Sequence, residues 1–242
     1  MSNQVNPYSE EGSKKEQVET MFDKIAPYYD FLNHLLTLNI DVLWRKRTIR
    51  SIADIAPKKI LDIATGTGDL AIMAAKKLHP DEVVGLDLSA QMLAIGQEKI
   101  NKKKLQNLIT LTQGDSEKLP FKDNTFDAIT VGFGVRNFEH LEVGLKEIYR
   151  VLKPGGKLAI LEFSMPTAFP FKQGYHFYFK NILPLIGRIT SKDPRAYTYL
   201  YESVQAFPDG EEFTGILEGI NFKSSQCKPL TLGICSLYTA TK

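Results

Sequence analysis

Scarcity sets the first limits. The chain of 242 residues has two cysteines, one tryptophan and four histidines. Cys227 and Cys235 form no Cys-x-x-Cys pair and have no Cys/His ligand spacing, which excludes a zinc module and a disulfide-stapled scaffold. Two reduced thiols are expected. An excess of charge of either sign is missing too: 30 basic and 28 acidic residues leave a net charge of +2. That balance lacks the basic stripe of a nucleic-acid binder. No run of about 18 uncharged apolar residues occurs, so no bilayer-spanning helix is encoded. The start, Met1-Ser2-Asn3-Gln4-Val5-Asn6-Pro7, has neither the basic region nor the apolar stretch of a secretory signal. The expected location is the cytoplasm, with peripheral contact at the inner membrane face left open.

What is present is an ordinary globular mixture, 43% hydrophobic and 24% charged, in a length that suits one α/β domain. Residues 1–15 are polar and read as a mobile tail, and residues 16–242 as the domain. Val18, Met21, Phe22, Ile25, Tyr29 and Leu32 recur at helical steps, with Pro27 predicting a break. A second helix is predicted near 41–55, so that 16–55 forms a helical cap. Short apolar strands then alternate with helices: strands at 59–63, 83–87, 108–112, 126–132 and 157–163, helices at 70–78, 90–100 and 141–152. Pro154-Gly155-Gly156 stops the last of these helices. Alternation of this kind predicts βαβ units in a mostly parallel sheet covered by helices on both faces. Residues 163–207 break the rhythm with 11 aromatics. After a helix near 209–219, strands near 221–228 and 232–240 predict a closing antiparallel hairpin turning at 229–231. The α/β fold expected is Rossmann-like, with seven strands.

The loop Asp62-Ile63-Ala64-Thr65-Gly66-Thr67-Gly68-Asp69 joins the first strand of this series to a helix. Gly66 and Gly68 permit a tight turn that brings backbone close to a ligand. A dinucleotide fold places pyrophosphate on the following helix N-terminus. Asp69 stands there and repels phosphate, and Ala71 replaces the third glycine of the dinucleotide fingerprint. A cofactor without phosphate and with a cationic centre fits better. S-adenosylmethionine is such a cofactor, with Asp62 and Asp69 suited to its ammonium and sulfonium charges. Asp87 ends the second strand, where an acid accepts from both ribose hydroxyls. Asp115 and Ser116 follow the third strand, at the adenine edge, and Met92 can pack on the ring. A nicotinamide-dependent oxidoreductase is the alternative from another class.

Longer motifs carry a resemblance. Asp62 to Asp69, Gly114-Asp115, Asn124-Thr125-Phe126-Asp127, Gly132-Phe133-Gly134-Val135-Arg136-Asn137 and Tyr149-Arg150-Val151-Leu152-Lys153-Pro154-Gly155-Gly156 resemble the class I methyltransferases that methylate quinone rings. The flanking Phe22-Asp23-Lys24-Ile25-Ala26-Pro27-Tyr28-Tyr29-Asp30 and Tyr197-Thr198-Tyr199-Leu200-Tyr201-Glu202-Ser203 are similar as well. The chain thus resembles the ubiquinone/menaquinone biosynthesis C-methyltransferase family from about residue 18 to 240. Two positions depart from it: Thr65 stands where members often carry Gly or Cys, and Gly132 where many carry Ser. The resemblance implies cofactor contacts at Thr67, Asp87, Asp115 and Ser116.

It also implies methyl transfer from S-adenosylmethionine to a ring carbon of a prenylated quinol. Demethylmenaquinol is the expected substrate; the methoxybenzoquinol precursor of ubiquinone is the alternative. The catalytic candidates are Arg136, Asn137 and Tyr29. Arg136 stays protonated, so it serves as a fixed cation beside the quinol oxygen. Asn137 orients that oxygen or a water, and Tyr29 closes the site. Water is the candidate proton acceptor, with His34, His140 and His176 as other possible bases; no metal is called for. The aromatics Phe169, Phe171, Tyr175, Phe177, Tyr178 and Phe179 suit an isoprenoid tail or the membrane surface. A net charge near zero predicts that apolar contact, with Phe177, Tyr178 and Phe179 foremost, provides any docking. A prenylated quinol, a membrane face and a second copy of the chain are the partners considered.

Overall fold

The computed structural model describes residues 5–8, 12–177 and 193–242. The N-terminal periodicity resolves into α1 (Lys14–Ile25), α2 (Tyr29–Thr37) and α3 (Ile40–Ser51). Pro27 separates the first two within a 3-10 turn, Ala26–Tyr28, where its missing N–H breaks no helix ladder. α1 starts earlier than the boundary at residue 16. Ser13 and Glu16 form a reciprocal capping box. The buried Lys14 donates through Nζ to the carbonyls of Arg136 (3.0 Å) and Phe138 (2.9 Å). Capping chemistry, rather than apolar period, sets that helix start.

The expected alternation follows: β1 (Lys59–Ile63), α4 (Asp69–Leu78), β2 (Glu82–Asp87), α5 (Ala90–Lys102), β3 (Ile109–Gln113), β4 (Phe126–Gly132), α6 (Leu141–Val151) and β5 (Leu152–Phe163). Then come α7 (Phe171–Phe177), α8 (Pro194–Ala206), α9 (Gly210–Gly219), β6 (Lys223–Leu230) and β7 (Cys235–Thr241). Tyr178 and Phe179 lie outside the described residues. The strands form one seven-stranded sheet in the order β3-β2-β1-β4-β5-β7-β6. β7 pairs antiparallel with both β5 and β6, and the other pairings are parallel.

Strand alternation divides the core into two layers. Leu61, Ile129 and Ile160 pack with Ile148 of α6 and Phe213 of α9 on one face. Ile60, Ala128 and Leu161 pack with Ala71 of α4 and Trp44 of α3 on the other. Each fully buried Leu or Ile stabilises the fold by roughly 1.5–3 kcal/mol, so covering both faces is what makes the apolar strands viable.

Two boundaries differ from expectation. Pro154-Gly155-Gly156 does end α6, but it lies inside β5, where a register shift between Phe126 and Ala128 of β4 and a φ of +75° at Gly155 absorb it. The hairpin turns at Thr231–Gly233, not at 229–231, and Pro229 pairs with Ser236 inside β6. β6 is the sheet edge, where a proline costs the ladder nothing.

From β1 the chain builds outward to β2 and β3, then returns to place β4 on the other side. The carboxyl ends of β1 and β4 therefore open a crevice, the usual ligand position in such sheets.

Candidate active site

Asp87, at the end of β2, organises the glycine loop. Its Oδ2 accepts from the backbone N–H of Gly66 (2.7 Å) and its Oδ1 from that of Ser89 (2.9 Å). Gly66 and Gly68 take φ values of +56° and +79°, which a side chain would strain. Asp87 also lines a cleft with Gly66, Met92, Asp115 and Ser116. Five of the eight residues chosen as cofactor contacts thus share one wall. Burial raises the Asp87 carboxyl above its ordinary value. Met92 is buried, and its N–H is capped by Ser89 Oγ. Asp115 is engaged: Lys15 Nζ lies 2.5 Å from Oδ2, and Oδ1 accepts from Glu117 N–H.

Asp62, Gly66 and Thr67 line a smaller adjoining cleft. Asp62 is buried beneath the loop, accepting from Thr65 Oγ1 (2.6 Å) and Thr130 Oγ1 (2.7 Å). Burial pushes its carboxyl up to about 6, against the pull of those hydroxyls. Thr65, a departure from the family pattern, thus serves Asp62; Gly132 lines both clefts. Thr67 Oγ1 donates to Asp30 (2.6 Å), tying α2 to the loop. Gly68 lines neither cleft and contributes the turn. Asp69 is not a free carboxylate: Lys99 and Arg45 hold it, and Lys99 also bonds Asp30 (2.8 Å). Both carboxylates at this helix N-terminus, Asp69 and Asp30, are thus already paired with cations, so Asp69 is not left free for the sulfonium or ammonium charge expected of it.

A larger cavity of about 420 Å³ adjoins these clefts, walled by Met21, Ile25, Trp44, Phe163, Tyr175 and Tyr199 among others. Tyr29 and Phe133 line this cavity and both clefts. Phe133 adopts φ +60°, an uncommon conformation for a large residue. Its ring stacks on Phe163 with centroids 4.5 Å apart. Its neighbour Gly134 must be glycine, since a Cβ there would sit 2.5 Å from Ala64 Cβ.

Arg136 lies in a 3-10 turn, Val135–Asn137, directly after β4 and lines the large cavity. Its Nη1 donates to Glu162 Oε1 (2.7 Å) and to the Phe133 carbonyl (2.5 Å). Glu162 is fully buried and also accepts from Phe163 N–H (2.9 Å). Arg136 Nε is buried with no hydrogen-bond partner among the described residues. Asn137 accepts from Tyr199 OH (3.1 Å) and lines the first cleft. Burial raises the Tyr29 phenol above its ordinary value. Of the three catalytic candidates, Tyr29 lines all three spaces, Arg136 the large cavity and Asn137 the first cleft. His34 pairs with Asp41 and His140 with Glu117, and neither lines these spaces. The side chains of His176 and Phe177 lie outside the described set.

Several participants escaped sequence reasoning. Lys15, Val18 and Phe22 of α1 cover the first cleft, and Ser89 Oγ donates to Asp23 of the same helix (2.5 Å). Glu162 carried a legible signal, a lone charge inside the apolar run Leu158–Phe163. Phe133 carried one as well, a large residue between two glycines.

The chain matches the ubiE/COQ5 methyltransferase family over residues 10–242. It is 49% identical over 238 residues to a Bacteroides fragilis protein named demethylmenaquinone methyltransferase, covering 98% of this chain and 97% of that one. It is 44% identical over 230 residues to a Geotalea daltonii protein named ubiquinone/menaquinone biosynthesis C-methyltransferase UbiE, covering 95% and 97%. Among solved structures it is similar to a SAM-dependent methyltransferase from Aquifex aeolicus, with a TM-score of 0.55, 21% identity and coverage of 76% and 81%. That last likeness concerns the fold, the mostly parallel sheet with its closing hairpin. Matched along nearly its whole length by the family and its relatives, the chain belongs to the ubiE/COQ5 methyltransferase family.

Proposed function

We propose that the chain methylates a ring carbon of a prenylated quinol, demethylmenaquinol, with S-adenosylmethionine as methyl donor. The observation that carries the reading is the pairing of a carboxylate-rich cleft with an apolar cavity bearing one guanidinium, Arg136. When bound, S-adenosylmethionine supplies an electrophilic methyl group on a cationic sulfur. Asp87 would take the ribose hydroxyls, Met92 and Ser116 the adenine side, and Asp62 would set negative charge beneath the loop. The relatives' names favour a naphthoquinol, and the Geotalea name keeps the benzoquinol as the second substrate to assay.

A neutral quinol carbon is a poor nucleophile. Loss of the neighbouring hydroxyl proton moves charge onto it by resonance. Arg136 does not accept that proton, because guanidinium stays ionised. It lowers the hydroxyl's pKa by its charge. Glu162 keeps this cation affordable in an apolar wall and fixes its plane. Asn137, oriented by Tyr199, positions a water that carries the proton away. Tyr29 and Phe133 stand between the two spaces and exclude bulk water.

Purified protein with S-adenosylmethionine and each reduced quinone in turn tests the reading. A naphthoquinol heavier by one CH2 unit, its ring hydrogen lost as a proton and replaced by methyl, with S-adenosylhomocysteine released, is the expected result; absence of both overturns it.

The Asp62 carboxyl adds a pH signature. At its raised value of about 6 it is half protonated near that pH. A bound cation favours the ionised form, so S-adenosylmethionine binding should release protons around pH 6, and affinity should rise as pH climbs through that value. Calorimetry in two buffers of different ionisation enthalpy reads the release. Asp62→Asn should abolish the buffer dependence; identical heats in both buffers for the wild type would remove Asp62 from the cofactor site.

A further inference from the structure

Two of the large apolar side chains exposed to solvent, Leu38 and Phe171, line the large cavity itself. Eight are exposed among the described residues, and all but Val143 lie within two positions of a residue lining the large cavity. Phe169 and Leu38 are the most open, at 80% and 77%, and Phe31, Leu43 and Leu232 are more than half exposed. Leu232 sits at the β6–β7 turn with φ +59°. Glycine or asparagine would serve that turn at lower cost, so a leucine there has no internal explanation. Trp44 Nε1 donates to Thr231 Oγ1 (2.7 Å), which holds this turn against α3 beside the cavity.

Charge borders the same patch. Leu43, Lys46, Arg47 and Arg50 follow helical spacing along the exposed side of α3. None of these three cations has a carboxylate partner among the described residues. Arg47 and Arg50 continue into a shallow trough that also contains Lys228. A net charge of +2 conceals this local concentration. Exposed apolar side chains bordered by cations match the boundary between acyl chains and anionic headgroups. A second copy of the chain would bring the same cations face to face.

We propose that this surface, Leu38, Leu43, Phe169 and Leu232 with the Lys46-Arg47-Arg50 stripe, docks the protein on an anionic bilayer with the cavity mouth against the lipid. The side chains of the aromatics expected to dominate docking, Phe177 to Phe179, lie outside the described residues. Docking stands on the surface alone. Its use, letting a tailed quinol pass from lipid into the cavity without crossing water, rests on the quinol reading above.

Vesicle co-sedimentation tests it with the full chain. The probes are phosphatidylcholine vesicles with and without phosphatidylglycerol. Two triple variants avoid the cavity-lining residues: Leu43→Ser/Phe169→Ser/Leu232→Ser, and Lys46→Gln/Arg47→Gln/Arg50→Gln. Each cation near an anionic surface multiplies affinity by about fivefold, so the second variant should lose about a hundredfold on anionic vesicles and little on neutral ones. The first should lose binding to both. Both should keep wild-type turnover on a short-tailed soluble quinol and lose efficiency on a long-tailed quinol in vesicles. Absence of wild-type binding, or unchanged binding by both variants, overturns the proposal. So does a wild-type dimer that the apolar variant dissociates, which assigns the face to a second copy. Vesicle binding without any quinol methylation would instead sink the proposed function and leave the docking surface standing.

Discussion

Arg136→Ala is expected to lower kcat by about 100-fold or more, the effect of removing one preorganised donor from a developing anion. S-adenosylmethionine affinity should change little, because the guanidinium lines the large cavity and neither of the two clefts proposed for the cofactor. The interaction develops only as the quinol loses its proton, so kcat falls with kcat/KM. One confounding effect is built into the site. Glu162 is fully buried, and truncating its partner leaves an uncompensated carboxylate at a cost of roughly 3–5 kcal/mol. A fall in Tm is therefore expected too, and kcat must be compared well below it. Glu162→Gln separates charge from fold. It keeps an acceptor for Arg136 Nη1 but removes the negative charge that offsets the guanidinium. The quinol hydroxyl should then ionise more easily, and the acidic limb of the kcat–pH profile should move to lower pH. A variant that merely loosens the site would lower kcat without moving that limb. Collapse of cofactor affinity in Arg136→Ala, with turnover intact at saturation, would assign the residue to the cofactor and sink the mechanism.

Asp87→Ala should weaken S-adenosylmethionine binding by two orders of magnitude or more. The proposed role gives Asp87 two charge-assisted hydrogen bonds to ribose, each worth about 1.5–3 kcal/mol. The same carboxylate also receives Gly66 N–H and Ser89 N–H, so loop distortion adds to the loss. A cycle with the 2′-deoxyribose cofactor analogue apportions the two. The wild type should bind the analogue more weakly than the cofactor, and Asp87→Ala should no longer distinguish them. Equal discrimination by both proteins would show that Asp87 supports the loop without touching ribose. Calorimetry on the folded variant gives both affinities.

How far the sequence carries can be judged from these residues. Asp87 was legible because its place, the end of a strand about 20 residues past a glycine turn, follows from a local βαβ pattern. Arg136 was legible from the motif around it, and Tyr29 from the motif before α2. The role of Asp115 was legible only in part. Its strand-end position was readable, but the ion pair to Lys15 that engages it comes from a helix 100 residues earlier. Asp69 was read as available to the cofactor, whereas Lys99 of α5 and Arg45 of α3 hold it.

Period, punctuation and the glycine loop determined the order of elements, the parallel sheet, its closing hairpin and the loop that lines the two clefts. These features depend on neighbours within a few residues, and such neighbours are written in the chain. Tertiary structure alone decided that α1 would roof the first cleft, that Glu162 would meet Arg136 across 26 residues, and that Trp44 would hold Thr231 across 187. It also decided that the exposed Leu38 and Phe171, from segments more than 100 residues apart, would line one cavity. Those pairings follow from the strand order β3-β2-β1-β4-β5-β7-β6, which sets the strand ends and helix faces that meet at the crevice. Local periodicity specifies which face of an element is apolar; the partner for that face is chosen only when the whole sheet closes its core.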